Sequence, residues 1–179
     1  MGTVIALSKS PKHTLIKKNE NSISLIQGLG VEGDAHMGEK VKHRFDVRKN
    51  PNKPNLRQVH IIHSELHQEL ALKGFKVNPG EMGENITSSG IDLLNLPLNT
   101  ILNFGETVKI KVTGLRKPCS QLNRIQEDLL KAVIEKGEDG AILFKAGVFG
   151  IVLQGGTIHV QDKITITLPQ KPFIKLQKV

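Results

Sequence analysis

The chain has 179 residues, a formal net charge of +8 and only 3% aromatic residues, all of them Phe. That length suits one domain with one sizeable core. The charge favours anionic partners (nucleic acid, a phosphorylated cofactor or an acidic protein surface), while the lack of Trp and Tyr argues against base-stacking platforms for nucleic acid.

A single cysteine excludes an internal disulfide and with it the disulfide-built secreted scaffolds. The first apolar run, Val4 to Leu7, is too short for a signal-peptide core, and no run reaches transmembrane length. A cytoplasmic protein with no membrane partner is therefore expected.

Thr3 to Ser8 is predicted as a strand ended by Ser10-Pro11. Thr14 to Lys17 and Ser22 to Gln27 are predicted as the next two, with Asn19-Glu20-Asn21 as a turn. Gly28, Gly30 and Gly33 crowd the loop that follows. They are not a dinucleotide fingerprint, because no helical pattern comes after them. Residues 40–57 are the most basic and least patterned part, where Lys40, Lys42, Arg44, Arg48, Lys49, Lys53 and Arg57 accompany one acid, Asp46. A long mobile surface insertion is expected there, either a solvated loop or an anion-capturing flap.

Arg57 to Ile62 alternates as a strand does. Ser64 can cap a helix running to about Lys73, with Leu66 and Leu70 inward and Gly74 as its stop. Pro79-Gly80 marks a turn, and Ile91 to Leu98 reads as a short irregular segment. Ile101 to Phe104 and Thr107 to Leu115 are predicted strands around a Gly105-Glu106 turn, with Val108, Ile110 and Val112 on one face. Leu122, Ile125, Leu129, Val133 and Ile134 follow a helical period, predicting the clearest helix of the chain over Ser120 to Lys136. After a polar loop at Glu138-Asp139-Gly140, strands are predicted near residues 142–145, 147–153, 157–160 and 163–168. Short strands with glycine turns, and few helices that do not alternate with them, predict a mainly β fold. The expected form is a closed or nearly closed β-barrel with a few appended helices, spanning residues 1–169. The basic tail at 170–179 has no pattern that places it.

Cys119 stands out chemically. Arg116 and Lys117 precede it and the predicted helix follows it, and both features favour a thiolate, the form that attacks and ligates. Pro118 restrains how it is presented. The alternative is a small buried hydrophobe. Asp34-x-His36 sets an acid beside an imidazole that it can orient, or makes an ordinary Asx turn. Glu84-Asn85 is either part of a site or a turn, and Arg57 either clamps an anion or pairs with an acid. Cys119, His36 and Asp34 make a chemically possible triad that sequence cannot bring into contact. His60, His63 and His67 read as surface or packing residues, and no paired Cys/His spacing suggests structural zinc.

Several segments together resemble the MOSC domain, the C-terminal domain of the molybdenum-cofactor sulfurases, which is also found free-standing. They are Gly30-Val31-Glu32-Gly33-Asp34-Ala35-His36, Arg57-Gln58-Val59, Gly80 to Thr87 with Gly90-Ile91-Asp92-Leu93, Lys117 to Leu122, and Gly147 to Gly156. Each motif is loose, while the ordered set is specific and covers nearly the whole chain. Departures are Gln161-Asp162 in the last hairpin, Asn99 after Leu-Pro-Leu, and the basic insertion, which could cover the cleft.

The resemblance implies a barrel fold and a cleft that takes a molybdenum-pterin cofactor. Cys119 would ligate the molybdenum or handle sulfur. Cys119, His36, Asp34 and Glu84 become catalytic candidates; Arg57, Asn85, Arg116, Lys117 and Arg44 become cofactor-binding candidates. Some relatives reduce N-hydroxylated bases and amidoximes with electrons from a flavin or iron–sulfur partner. This domain alone lacks the aminotransferase-like half of a full sulfurase, so pyridoxal phosphate is not expected to bind in it. Two further functions stay open. One is a sulfur carrier holding a persulfide on Cys119 for a donor or acceptor protein. The other is a non-enzymatic barrel that binds anions or nucleic acid through its basic insertion, with the shortage of aromatics against it.

Overall fold

Val108, Ile110 and Val112 are buried and Lys109 is exposed along β8 (Val108–Leu115), the period of a strand with one face on a core. The same alternation marks β11 (Val148–Gln154), which pairs antiparallel with β8. From β8 the sheet runs one way through the hairpin to β7 (Ile101–Phe104) and on to β13 (Lys163–Thr167). The other way it runs through β11 to β5 (Val59–His63), β6 (Ile86–Ser89) and β1 (Gly2–Lys9). β13 also pairs with β1 through Gly2↔Ile164 and Thr3↔Lys163, which closes a barrel of seven strands. The mainly β barrel expected from the sequence is thus closed. This computed structural model describes residues 1–137 and 140–179, so the Glu138-Asp139 part of the predicted polar loop lies outside the described residues.

Smaller pieces decorate the barrel. β2 (Lys18–Glu20) extends it at β1; β3 (Ser22–Ile26), β4 (Gly30–Val31) and β12 (Gly156–His159) form a second sheet; β9 (Ile134–Lys136) pairs with β10 (Ile142–Phe144). The helices are α1 (Arg44–Lys49), α2 (Ser64–Leu72) and α3 (Leu129–Ala132). Two apolar clusters result. One fills the barrel, around Leu102, Phe104, Ile110 and Val148. The other packs Ile62, Leu66, Leu70, Met82, Leu122 and Leu129 together, joining α2 and α3 to the outer side of β5. Each fully buried leucine contributes roughly 1.5–3 kcal/mol by leaving water.

The structure corrects four expectations. The helix predicted over Ser120 to Lys136 is instead a 3₁₀ turn at Ser120–Arg124, the short α3 and strand β9. Its apolar period reported real burial, because Leu122, Leu129 and Val133 are all buried. Asp128, with φ 62°, takes a left-handed conformation that breaks the helical path. The strand expected at Thr14 to Lys17 forms later, at Lys18–Glu20, and Lys17 turns inward. The insertion is not patternless loop throughout. It carries α1 and a β-bridge between Lys40 and Pro54. α1 buries none of its residues, so no apolar period could announce it. Finally His63, not Ser64, holds the N-cap position of α2.

The tail that the sequence left unplaced runs back over the barrel. Lys175 bridges to Pro97 and Lys178 to Leu115, and Leu176 joins the barrel core at 2% exposure.

Candidate functional site

His60 on β5 and Phe149 on β11 are direct strand partners, and their rings lie 5.0 Å apart. Val59, Ile61 and Val148, next to them in sequence, belong to the barrel core, so alternation turns His60 and Phe149 to the outer face. There they floor a cleft of about 650 Å³. Burial, then the nearby Arg116 charge, hold the His60 imidazole well below its usual value, and its Nε2 lies 2.8 Å from the Ala146 carbonyl oxygen. His60 is thus a neutral floor residue.

The segment after β8 makes one wall. Arg116 donates its backbone N–H to the Gly147 carbonyl at 2.9 Å and a guanidinium N–H to the Met82 carbonyl at 2.7 Å. Pro118 is buried, and Leu122 is anchored in the second apolar cluster. Chain on both sides of Cys119 is therefore pinned, while Cys119 itself is exposed and lines the cleft. It caps a 3₁₀ turn, not the long helix expected. Burial lowers the Arg116 value, opposed by the charges of Cys119 and Glu84, which places Arg116 within electrostatic reach of the thiol.

A second part of the lining is organised by Asp34. Its Oδ2 accepts from the Lys17 ammonium at 2.8 Å, Asn85 Nδ2 at 3.0 Å and the Ser10 N–H at 3.2 Å. Its Oδ1 lies 3.0 Å from the His36 N–H and 3.1 Å from His36 Nδ1. Burial opposes its ionisation, but the hydrogen bonds from His36 and the Lys17 charge outweigh that and hold the carboxyl well below the usual range. An ionised Asp34 can only accept, so His36 Nδ1 carries the proton and Nε2 is the ring nitrogen left for the cleft. His13 stands edge-to-face with His36, ring centroids 4.9 Å apart.

The insertion forms the third side. Asn55 Nδ2 ties its base down by donating to the His36 and Gly38 carbonyls, both at 2.9 Å. Arg44, Phe45, Asp46 and Arg48 line the cleft from α1. Arg57 sits over the Phe149 ring at 5.8 Å and pairs with Asp46 at 2.9 Å.

Of the sequence candidates, Cys119, His36, Arg57, Asn85, Arg116, Lys117 and Arg44 line this one cleft. Asp34 and Glu84 do not. Asp34 lies behind His36. Glu84 has no exposed surface and accepts from the Gly80 N–H at 2.6 Å and the Thr87 hydroxyl at 3.3 Å, which shapes the turn that presents Asn85. Sequence reading missed Lys17, His13, His43 and Phe149, and took His60 for a packing residue. Only the His60–Phe149 pair left a usable trace, since two alternating strands that pair must put their polar-side residues together. Cations dominate the lining, and none of Arg44, Arg48 and Lys117 pairs with a described carboxylate. Among the described residues, no group of three or more His, Cys, Asp and Glu side chains is placed to hold a metal ion.

The family model for the MOSC domain matches residues 34–165. No curated protein matches the sequence. Among solved structures, the YUAD protein from Bacillus subtilis is similar at 21% identity and a TM-score of 0.77, over 95% of this chain and 98% of that one. YiiM from Geobacillus stearothermophilus gives 19% identity and 0.64, over 93% of this chain and 75% of that one. YiiM from Escherichia coli gives 19% and 0.61, over 96% and 73%. At these identities the likeness establishes the fold.

Proposed function

The chain belongs to the MOSC domain family, and from that premise we propose that its cleft binds a molybdenum-pterin cofactor with Cys119 as the protein's ligand to the metal. The observation that carries this reading is the exposed thiol of Cys119 in a cleft walled by Arg44, Arg48, Arg57, Arg116 and Lys117. This donor set fits. A bare ion would need several protein ligands, which the described residues do not assemble. A metal that arrives chelated by its own pterin asks for one soft donor, and its phosphate asks for cations. When bound, that cofactor supplies redox chemistry at the metal, which no side chain of this protein can provide.

The chain's own residues bind, orient and handle protons. Arg57, already seated over Phe149, offers its fork to a phosphate. Asn85 is held rigidly by Asp34 and by the His60 N–H, 3.2 Å from its Oδ1. His36, oriented by Asp34, holds a proton or gives it to a substrate through Nε2. Glu84, sealed from the cleft, keeps the turn in shape and leaves the proton role to His36. The activity that suits this arrangement is the terminal step of a reductase for N-hydroxylated substrates, fed by a flavin or iron–sulfur partner. A sulfur carrier would use the same exposed thiol as a persulfide and need no metal.

The deciding experiment is purification from a molybdenum-replete host, with metal and pterin analysis and native mass of the parent and of Cys119→Ala. Stoichiometric molybdenum and pterin in the parent, with the metal lost from the variant, is the expected result. Because Cys119 is exposed, the variant's stability should stay within about 0.5 kcal/mol of the parent. Metal retained by Cys119→Ala would end the ligand assignment. A metal-free parent carrying one added sulfur on Cys119 would favour the carrier.

A further inference from the structure

Asp46 is the one acidic residue among the cleft's described lining residues, and it does not sit apart from the cations. Its Oδ2 is 2.9 Å from Arg57 Nη1. The pair is largely shielded, with side-chain exposures of 15% for Asp46 and 26% for Arg57. Arg57 is fixed independently of it. The guanidinium lies over Phe149, and the Arg57 backbone N–H donates to Asn55 Oδ1 at 3.1 Å. Asp46, by contrast, belongs to α1, whose six residues include none that is buried. The insertion's firm attachments are at its base, where Lys40 bridges Pro54, the Val41 N–H donates to the Lys53 carbonyl at 2.9 Å and the Asn55 N–H to the Glu39 carbonyl at 2.8 Å. A cation with its own seat on Phe149 is therefore capped by a carboxylate on a helix that buries none of its residues.

We propose that Asp46 is a built-in competitor for the anion site at Arg57: its carboxylate occupies the guanidinium until a phosphate-bearing ligand displaces it, and α1 is then released from the cleft's edge. A carboxylate and a phosphate present similar oxygen pairs to a guanidinium, so exchange of one for the other keeps Arg57 satisfied throughout. Discrimination follows. A weakly charged anion does not displace Asp46, while a di- or polyanion that also reaches Arg44, Arg48 or Lys117 does. This inference rests on the cleft being an anion site, as the cofactor proposal does, but it involves neither molybdenum nor Cys119.

Calorimetric titration of the metal-free full chain with pyrophosphate at low ionic strength tests it. Four proteins are needed: the parent, Asp46→Asn, Arg57→Gln and the double variant. Removing the competitor should tighten pyrophosphate binding roughly tenfold in Asp46→Asn. In the Arg57→Gln background the same change should give little or nothing, because there is no longer a site to vacate. A gain that persists undiminished without Arg57 would mean that Asp46 acts only through space, and would overturn the proposal. So would equal affinity of the parent and Asp46→Asn, or no pyrophosphate binding by any of the four. The cofactor reading is judged separately, by the metal content of Cys119→Ala. Since α1 buries nothing and neither Asp46 nor Arg57 belongs to an apolar cluster, these changes leave the core intact; Asp46→Ala provides the same comparison should the Asn variant fold poorly.

Discussion

Asp34 is the residue on which the site's order turns. Five donor groups meet its two oxygens, and one of them is an ammonium that is itself 5% exposed. Replacing Asp34 by Asn strands the Lys17 charge, and breaking such a pair costs about 3–5 kcal/mol. Urea denaturation at pH 7 should show that loss. The pH dependence carries a definite sign. The folded carboxyl is held below its unfolded value of about 3.9, so the stability it contributes is complete above that value and is lost as pH falls towards the lower folded one. Asp34→Asn should therefore have a flatter stability profile than the parent below about pH 4. Parallel profiles would mean the carboxylate contributes no linkage. The Asp34–His36 pairing was legible from their spacing in a glycine-rich loop. Lys17 was not, since one of two adjacent lysines before a turn looks like any solvated lysine until long-range packing buries it.

At the scale of elements, Gly147 couples the barrel to the thiol-bearing segment. It enters β11 with φ +87°, and a Cβ there would overlap the Ile61 carbonyl of the neighbouring strand. Its own carbonyl accepts the Arg116 N–H. Gly28, at φ +71°, has nothing within 4 Å of the same imagined Cβ. Alanine at Gly28 should cost about 1–2 kcal/mol, the left-handed penalty alone. Alanine at Gly147 should cost clearly more, because strand β5 must also move. Equal shifts in melting temperature for the two variants would show that close approach is not what requires glycine at 147. Strand alternation made most of the barrel readable, because burial on one face leaves a period of two in β8 and β11. The period of Leu122, Leu129 and Val133 misled, because an apolar cluster fed by a 3₁₀ turn, a single helical turn and a strand end imitates one continuous helix. β4 and β6 left too short a pattern to read, and the tail's bridges leave none.

At the scale of the molecule, the +8 charge predicts an anionic partner but gives no place for it to bind. Folding brings Lys17, Arg44, Arg48, Arg57, Arg116 and Lys117 to one cleft and adds histidines to it. Burial first, then the cations around them, push His13 and His43 below their ordinary value. The neighbours responsible are His36 and Arg44 for His13, and Arg57 for His43, partly offset by Asp34 and Asp46 respectively. Both rings are therefore uncharged at pH 8 and gain charge only below about 6.5, the ordinary histidine value. An anion in the cleft favours the charged rings, so binding must take up protons as the solution is acidified. Sulfate is a suitable probe because it stays a dianion over this range. Its affinity should rise as pH falls from 8 to 5, with most of the gain below 6.5, and should drop with added salt because exposed charges are screened. Calorimetry in two buffers of different ionisation enthalpy reads the proton uptake directly. Affinity that is flat with pH but steep with salt would assign the attraction to the arginines and lysines alone. It would also remove His13 and His43 from the cleft's electrostatics.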